Sequence, residues 1–344
     1  MNASSKVVRL GVDLGKNTFH LVGVDAAGQL ALKKKRTRRN LLAFLAQLEP
    51  CLIGLEACGG AHHWAREMAK LGHEVRLMNP KFVKAYVQGN KNDYNDAAAI
   101  CEAVGRPGMR FVAVKTVEQQ EMQVLHRLRS GAVKARTALA NQIRGVLGEF
   151  GLVVGQGLGR LRRALPEILE DADNGLSPRL RGWLAELSRQ LRQWDEQVEA
   201  YDEEVERLYR ADEACRRLGQ VPGIGPVVAT ALVGQLADGR GFQHGRQFSA
   251  SLGLVPRQHT TGGEPRLLGI SKRGDRYLRT QLIHGARAVV SRIEGKTDAL
   301  SRWLQRLVAT RGKNKAAVAL ANKNARIAWA LLVHGTSYRP TAGV

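Results

Sequence analysis

Two apolar runs near the start of the chain each end on a single carboxylate, and this constrains the fold more than any other feature. Val-Val-Arg-Leu-Gly-Val-Asp sets Asp13 at the end of the first, and Cys-Leu-Ile-Gly-Leu-Glu sets Glu56 at the end of the second. Short apolar runs closed by turn residues read as strands. Residues 6–14, 18–25 and 29–35 form three such runs, the last two separated by Ala26-Ala27-Gly28, as expected for an antiparallel meander. Helical spacing follows at 40–48, a strand at 51–56, a helix at 61–71, a strand at 74–78 stopped by Asn79-Pro80, and a helix at 81–87. Three strands followed by αβαβα is the order of an RNase H-like α/β domain, in which the first and fourth strands bring acids to one edge.

Asp93 and Asp96 open the next helical stretch, in Lys-Asn-Asp-Tyr-Asn-Asp-Ala. With Asp13 and Glu56 they make a set of four carboxylates. Converging carboxylates hold divalent cations, and two such ions about 3.5–4 Å apart clamp a phosphodiester for displacement. An all-oxygen set suits Mg²⁺ better than zinc, so two Mg²⁺ ions bound by Asp13, Glu56, Asp93 and Asp96 are expected. Taken singly, Asp93 and Asp96 also suit helix N-terminal caps, whereas Asp13 and Glu56 at apolar strand ends do not.

The 344 residues carry 53 Lys and Arg against 31 Asp and Glu, a formal charge of +22. Such an excess points to a polyanionic partner, nucleic acid above all. Aromatics are 5% of the chain, so phosphate contact rather than base stacking is the expected binding mode. Between Gly239 and Val344 only Glu264, Asp275, Glu294 and Asp298 are acidic, against 19 Lys and Arg. The four cysteines form no Cys-x-x-Cys pair, which argues for small core residues in a reducing cytoplasm rather than disulfides or zinc. No apolar run approaches the length of a membrane span. A cytoplasmic protein with no membrane partner is expected.

The middle of the chain reads as helical. Residues 117–150 keep a helical apolar period, and 152–178, with Gly155, Gly157 and Gly159, read as a looser connection. Leu184, Leu187, Leu191, Trp194, Val198, Tyr201, Val205 and Leu208 then step alternately by three and four. That is a heptad seam. It fits an intramolecular hairpin with the 117–150 helix, a dimeric coiled coil, or one face of an ordinary bundle. Val221-Pro-Gly-Ile-Gly-Pro226 between two helical stretches resembles a helix-hairpin-helix, or equally a plain tight turn. Beyond it, a Thr-Thr-Gly-Gly loop at 260–263 is flanked by His259 and by Arg257, Arg266, Lys272, Arg273, Arg276 and Arg279. Hydroxyls, glycines and cations together suit phosphodiester binding. The tail at 301–335 reads as basic amphipathic helix, broken at 311–315. The expected organisation is 1–115 catalytic, 116–212 a helical or coiled-coil dimerisation region, and 213–344 a mainly α-helical nucleic-acid-binding domain.

The motifs Gly-Val-Asp-Leu-Gly-Lys at 11–16, Leu-Glu-Ala-Cys-Gly-Gly at 55–60, Met-Asn-Pro-Lys at 78–81, Asn-Lys-Asn-Asp-Tyr-Asn-Asp-Ala at 90–97, Pro-Gly-Ile-Gly at 222–225 and Leu-Gly-Leu-Val-Pro-Arg-Gln-His through Ile-Ser-Lys-Arg-Gly-Asp-Arg-Tyr-Leu-Arg at 252–279 occur in one order. In this the chain resembles the Asp-Glu-Asp-Asp insertion-sequence transposases of the IS110 family, especially its IS1111 subgroup, relatives of the Piv-type DNA invertases. The resemblance implies a RuvC-like N-terminal domain, a coiled-coil middle and a C-terminal transposase domain. It also implies donor and target DNA, a structured noncoding guide RNA that bridges them by base pairing, and homodimers that pair into a tetramer.

The resemblance maps Asp13, Glu56, Asp93 and Asp96 onto the acidic tetrad and a C-terminal hydroxyl nucleophile onto Thr261. The family typically carries serine there. Threonine keeps the hydroxyl but β-branching crowds it, so slower attack by Thr261, attack by Ser271, or an impaired copy all remain open. His259 can shuttle a proton beside Thr261, and the basic run at 33–39 either touches RNA or is a solvated hairpin end. Two other functions fit the acids: a Holliday-junction resolvase-like endonuclease with water as nucleophile, and a non-enzymatic nucleic-acid-binding scaffold.

Overall fold

The computed structural model describes residues 6–90, 92–236, 239, 241–262 and 264–340. Lys91 of the acidic motif and Gly263 of the Thr-Thr-Gly-Gly stretch lie outside the described residues. Two compact units are present, 1–117 with 236–247, and 118–235 with 248–344. The region expected as a coiled-coil middle thus shares a unit with most of the expected C-terminal domain, whose residues 236–247 group with the sheet.

The first unit is built on a six-stranded mixed sheet, β1 (Arg9–Leu14), β2 (Thr18–Val24), β3 (Leu30–Thr37), β4 (Leu52–Glu56), β5 (Glu74–Met78) and the short β6 (Phe111–Val112). Its order is β3-β2-β1-β4-β5-β6, with β1, β4 and β5 parallel and β2, β3 and β6 antiparallel to their neighbours. Alternation explains its two faces. Leu10, Val12, Phe19, Leu21, Ile53 and Leu55 point to one side and are fully buried with α1 (Leu41–Leu45) and α2 (Ala61–Lys70). Each such side chain contributes about 1.5–3 kcal/mol by leaving water. The stretch expected as a helix at 81–87 is a four-residue α3 (Pro80–Val83), capped by Asn79, that tightens into a 3₁₀ turn at Lys84–Tyr86.

The other face is covered by α4 (Asp93–Val104), and two glycines decide how closely. Gly11 of β1 and Gly54 of β4 are register partners. A Cβ on Gly11 would collide with the carbonyl oxygen of Ala97 and the amide of Cys101, and one on Gly54 would lie 2.8 Å from Cβ of Val104. The pair lets the α4 backbone rest on the sheet two residues upstream of Asp13 and of Glu56.

The second unit is helical. It contains nearly all of α5 (Val117–Glu149), then α6 (Leu158–Glu170), α7 (Pro178–Ala211), α8 (Glu213–Gly219) and α9 (Pro226–Leu236). After α10 (Gly245–Ser251) come a two-stranded hairpin of β7 (Pro256–Thr261) and β8 (Glu264–Ile270), then α11 (Arg276–Val290), α12 (Ala299–Arg311) and α13 (Lys313–His334). The looser connection expected at 152–178 contains α6, whose Leu161 and Leu165 are buried with Leu139, Ile143 and Leu147 of α5 and Leu180, Leu184 and Leu191 of α7. Its apolar stripe outweighed the glycine signal, and those glycines stop short of the helix interior.

α5 and α7 pair within the chain. Arg129 bonds Asp202, and Arg136 lies 3.3 Å from Asp195; the crossed numbering makes the two helices antiparallel. The heptad seam is only half buried. Leu184, Leu191, Val198 and Val205, seven apart, are buried, while Trp194 keeps 37% of its surface.

Candidate active site and basic hairpin

Asp13 lies opposite His20 in the β1–β2 register. Glu56 follows Leu55, the partner of Val12, so the two acids end adjacent parallel strands on the face that α4 covers. Asn92 supplies the α4 cap, its side chain accepting from the Tyr94 amide at 2.8 Å. That leaves Asp93 and Asp96 in the first turn without a capping duty, which answers the plain-cap explanation of both. The positive end of the helix favours their charge there.

The four acids act on one another. Burial raises the Asp13 carboxyl above the usual carboxylate range, and Asp96 and Asp93 raise it further, against a smaller lowering by His20. Burial likewise raises Glu56, aided by Asp13 and Asp96. A carboxylate cluster in this condition stabilises a cation placed among it. Donor chemistry fits a hard divalent ion: oxygen ligands only, with two carboxyls whose ionisation is opposed until positive charge arrives. Among the described residues, no three His, Cys, Asp or Glu side chains are gathered tightly enough to close on one ion. Ligation thus requires the carboxylates to turn inward, as expected of groups that repel one another.

His20 and Tyr94, which the sequence did not single out, and Lys33 of the basic run complete this corner. The Nδ1 of His20 lies 3.5 Å from Oδ2 of Asp93. The Tyr94 ring stands edge-on to His20 with centroids 4.7 Å apart, and Nζ of Lys33 sits 4.8 Å from the Tyr94 centroid. His20 shares the Asp13 face of β2 with Thr18, Val22 and Val24, and only the register that sets it across from Asp13 singles it out. His62 has a different use. It accepts from the Lys115 amide at 3.2 Å, and burial with the nearby Lys115 and Arg66 charges holds its pKa down to about 4.

In the second unit the Thr-Thr-Gly-Gly loop is the tip of the β7–β8 hairpin, a small sheet within a region expected to be mainly helical. Thr261 pairs with Glu264 and His259 with Arg266 across it. Strand alternation sends the two threonines to opposite faces. The Thr260 hydroxyl accepts a 2.9 Å hydrogen bond from the Gln258 amide, while Thr261 shares its face with His259 and Arg266. Ser271 lies just past β8, its amide tied to the Val255 carbonyl at 2.8 Å.

Arg257, Arg266, Lys272, Arg273 and Arg276 are exposed. Arg279 is a correction: it is 8% exposed, and its Nη1 donates to the carbonyls of Leu252 at 2.8 Å and Arg273 at 3.0 Å. Its charge braces the segment below the hairpin instead of facing solvent. The turn between α8 and α9 is also used inward. Gly223, at φ +89°, packs on Gly285 of α11, and Asn324 donates to the Pro222 carbonyl at 2.8 Å.

Carboxylates crowded at two strand ends in a strongly basic chain fit an enzyme that acts on phosphodiesters. Comparison with known proteins makes the class specific. Residues 215–302 match the family described as "Transposase IS116/IS110/IS902 family", and residues 10–151 match a second transposase family model of the Asp-Glu-Asp-Asp IS110 type. The chain is 51% identical over 333 residues to a "Probable family 20 transposase" of Pseudomonas aeruginosa, covering 96% of this chain and 98% of that one. It is 46% identical to the "Transposase for insertion sequence element IS1111A" of Coxiella burnetii, over 96% and 91% of the two chains. It is 41% identical to the "Transposase for insertion sequence element IS1328" of Yersinia enterocolitica, over 96% and 98%. This chain belongs to the IS110 family of insertion-sequence transposases and is a DNA transposase.

Among the described residues no helix is long and apolar enough to cross a membrane.

Proposed function

We propose that the sheet is an RNase H-like (RuvC-like) catalytic domain whose Asp13, Glu56, Asp93 and Asp96 hold divalent cations, two Mg²⁺ ions, for DNA strand transfer in the cytoplasm. The observation that carries this is the crowding of the acids, Asp13 raised by burial, Asp96 and Asp93 and Glu56 by burial, Asp13 and Asp96, in a corner that α4 closes over Gly11 and Gly54. Bound there, the ions would supply charge to the scissile phosphate and the departing oxygen. The chain's own part is to crowd four carboxylates at two strand ends and a helix start, and to keep the helix cap on Asn92.

The attacking group is the Thr261 hydroxyl. Its Oγ1 bonds to phosphorus and loses its proton to a neighbouring base, for which His259 on the same hairpin face is placed. The P–O3′ bond breaks, the DNA 3′-oxygen leaves as a hydroxyl, and the 5′-phosphate stays on Thr261. A 3′-hydroxyl from another strand then attacks the same phosphorus and releases Thr261. Arg257, Arg266, Lys272, Arg273 and Arg276 position phosphates. Base pairing with a structured noncoding guide RNA chooses donor and target, and homodimers assemble into a tetramer around them.

A denaturing gel of the full chain with its element's RNA, Mg²⁺ and end-labelled DNA tests this. A covalent protein–DNA band in the wild type, lost in Thr261→Ala, is expected. A band that survives moves the attack to another hydroxyl such as Ser271, and cleavage with no band transfers the reaction to water, as in a resolvase.

A further inference from the structure

The basic run on β3 is divided by strand alternation into two surfaces with different neighbours. Lys33, Lys34, Lys35 and Arg36 are consecutive, and β3 is an edge strand. Arg36 pairs in register with the buried Phe19, and its guanidinium lies 4.1 Å from the Phe44 ring centroid, on the α1 side. Lys35 pairs with His20, and His20 with Asp13. One row thus crosses three strands as Lys35, His20, Asp13, with Glu56 on the next strand. Neighbouring strands lie about 4.8 Å apart, so the Lys35 backbone is roughly 10 Å from that of Asp13, within reach of its long side chain. Lys33, two residues away on the same face, caps Tyr94 beside Asp93.

These lysines do not neutralise the acids they face. The His20 ring stands between Lys35 and Asp13 and takes Asp93 itself, and Lys33 lies over the Tyr94 ring while staying exposed. Among the described residues none of the four β3 cations is in a salt bridge, β3 holds no acid, and Lys33, Lys34 and Lys35 are exposed. Like charges two apart on one strand face repel unless an outside anion joins them. An acidic protein segment would meet the carboxylate corner next. A phosphodiester strand passes from lysines to that same corner, where the reaction needs its phosphate.

We propose that the α4-side face of β3, Lys33 and Lys35, is a phosphodiester track that leads a nucleic-acid strand to the Asp13–Glu56 corner. Lys34 and Arg36 are not part of it. The track rests on the acidic corner being the reaction site. It reads backbone only, since Tyr94 is held by Lys33 and His20 and is not free to stack a base. Edge lysines also discourage strand-to-strand aggregation, but that duty falls on both faces alike.

The full-length chain separates the two. Binding of labelled single-stranded DNA, and of RNA of the same sequence, is followed by anisotropy through a salt series with divalent ions chelated. Lys33→Gln/Lys35→Gln and Lys34→Gln/Arg36→Gln each remove two charges from one strand, and thermal melts check that both pairs fold. Expected is a loss of affinity of roughly tenfold for the first pair, with the log–log salt slope reduced by about 1.4, two single-strand phosphate contacts at about 0.7 each. The second pair should leave the slope unchanged. A loss with DNA alone or RNA alone names the strand that uses the track, and a loss with both assigns the shared backbone. Equal losses in the two pairs overturn the track in favour of diffuse charge, and no loss in either makes β3 a solvated edge. Because binding is read without metal or chemistry, failure of the strand-transfer mechanism leaves this result standing, and the converse also holds.

Discussion

At the residue scale, what distinguishes the acidic corner is the pair of glycines beneath it. Gly11→Ala places a methyl group against the Ala97 carbonyl and Cys101 amide. Overpacking against backbone costs about 1–3 kcal/mol, so a lower denaturation midpoint is expected, together with loss of strand transfer as α4 lifts its acids away. Asp13 carries a pH signature. Its folded-state carboxyl is raised, so on acidification the folded chain takes up this proton before the unfolded chain does. Stability from this group is therefore gained as pH falls toward the ordinary carboxylate range and lost as pH rises through the raised value. In melts without divalent ions, Asp13→Asn should be more stable than wild type at neutral pH, with the difference vanishing at acid pH. Added Mg²⁺ should stabilise the wild type and not the variant. A variant less stable than wild type at neutral pH would show that Asp13 is held by favourable contacts instead.

Residue types were legible in the sequence where alternation and position spoke together. Asp13 and Glu56 could be placed from the apolar runs they end. His20 was passed over because a single histidine in a strand carries no local signal, and its meaning comes from the register that sets it across from Asp13. Arg279 was read as a binding cation because charge along a sequence does not reveal burial. Its guanidinium answers carbonyls left open by the turn at Gly253 and Gly274. Arg279→Met should therefore destabilise the chain by about 1–3 kcal/mol for the stranded acceptors, seen in chemical denaturation, with little change in the salt slope of DNA binding.

At the scale of elements, the heptad seam on α7 shows how a clear period can overstate a contact. Every three-four step was visible, yet full burial follows only the sevenfold half, with Leu187, Tyr201 and Leu208 half-buried and Trp194 exposed. Leu191 is 2% exposed within the α5–α6–α7 core, whereas Trp194 keeps 37% of its surface. Leu191→Ala should cost about 2–5 kcal/mol and Trp194→Ala distinctly less in urea denaturation. Equal costs would mean that the second half of the seam is also packed in solution. α6 escaped the sequence reading because Gly155, Gly157 and Gly159 suggested a break. The β7–β8 hairpin was recognised for its chemistry but not its structure, since His-Thr-Thr-Gly-Gly reads as a loop until Thr261 is paired with Glu264.

At the scale of the whole molecule, both compact units are strongly basic. The sheet unit carries Asp13, Glu56, Asp93 and Asp96, and the helical unit carries the β7–β8 hairpin with Thr261 and the five exposed cations around it. Family membership was readable because several motifs kept their order from Gly11 to Arg279, and the close identity to transposases along 96% of the chain agrees with it. A chain of this charge binds nucleic acid through many phosphate contacts, so removing one carboxylate should leave that binding intact.

The most direct test compares wild type with Asp13→Ala for strand exchange on the element's own DNA ends, in Mg²⁺, with nucleic-acid binding measured on the same samples. The account predicts exchange falling to background while binding persists. Loss of both together would make Asp13 a structural residue and contradict the assignment of the acidic corner.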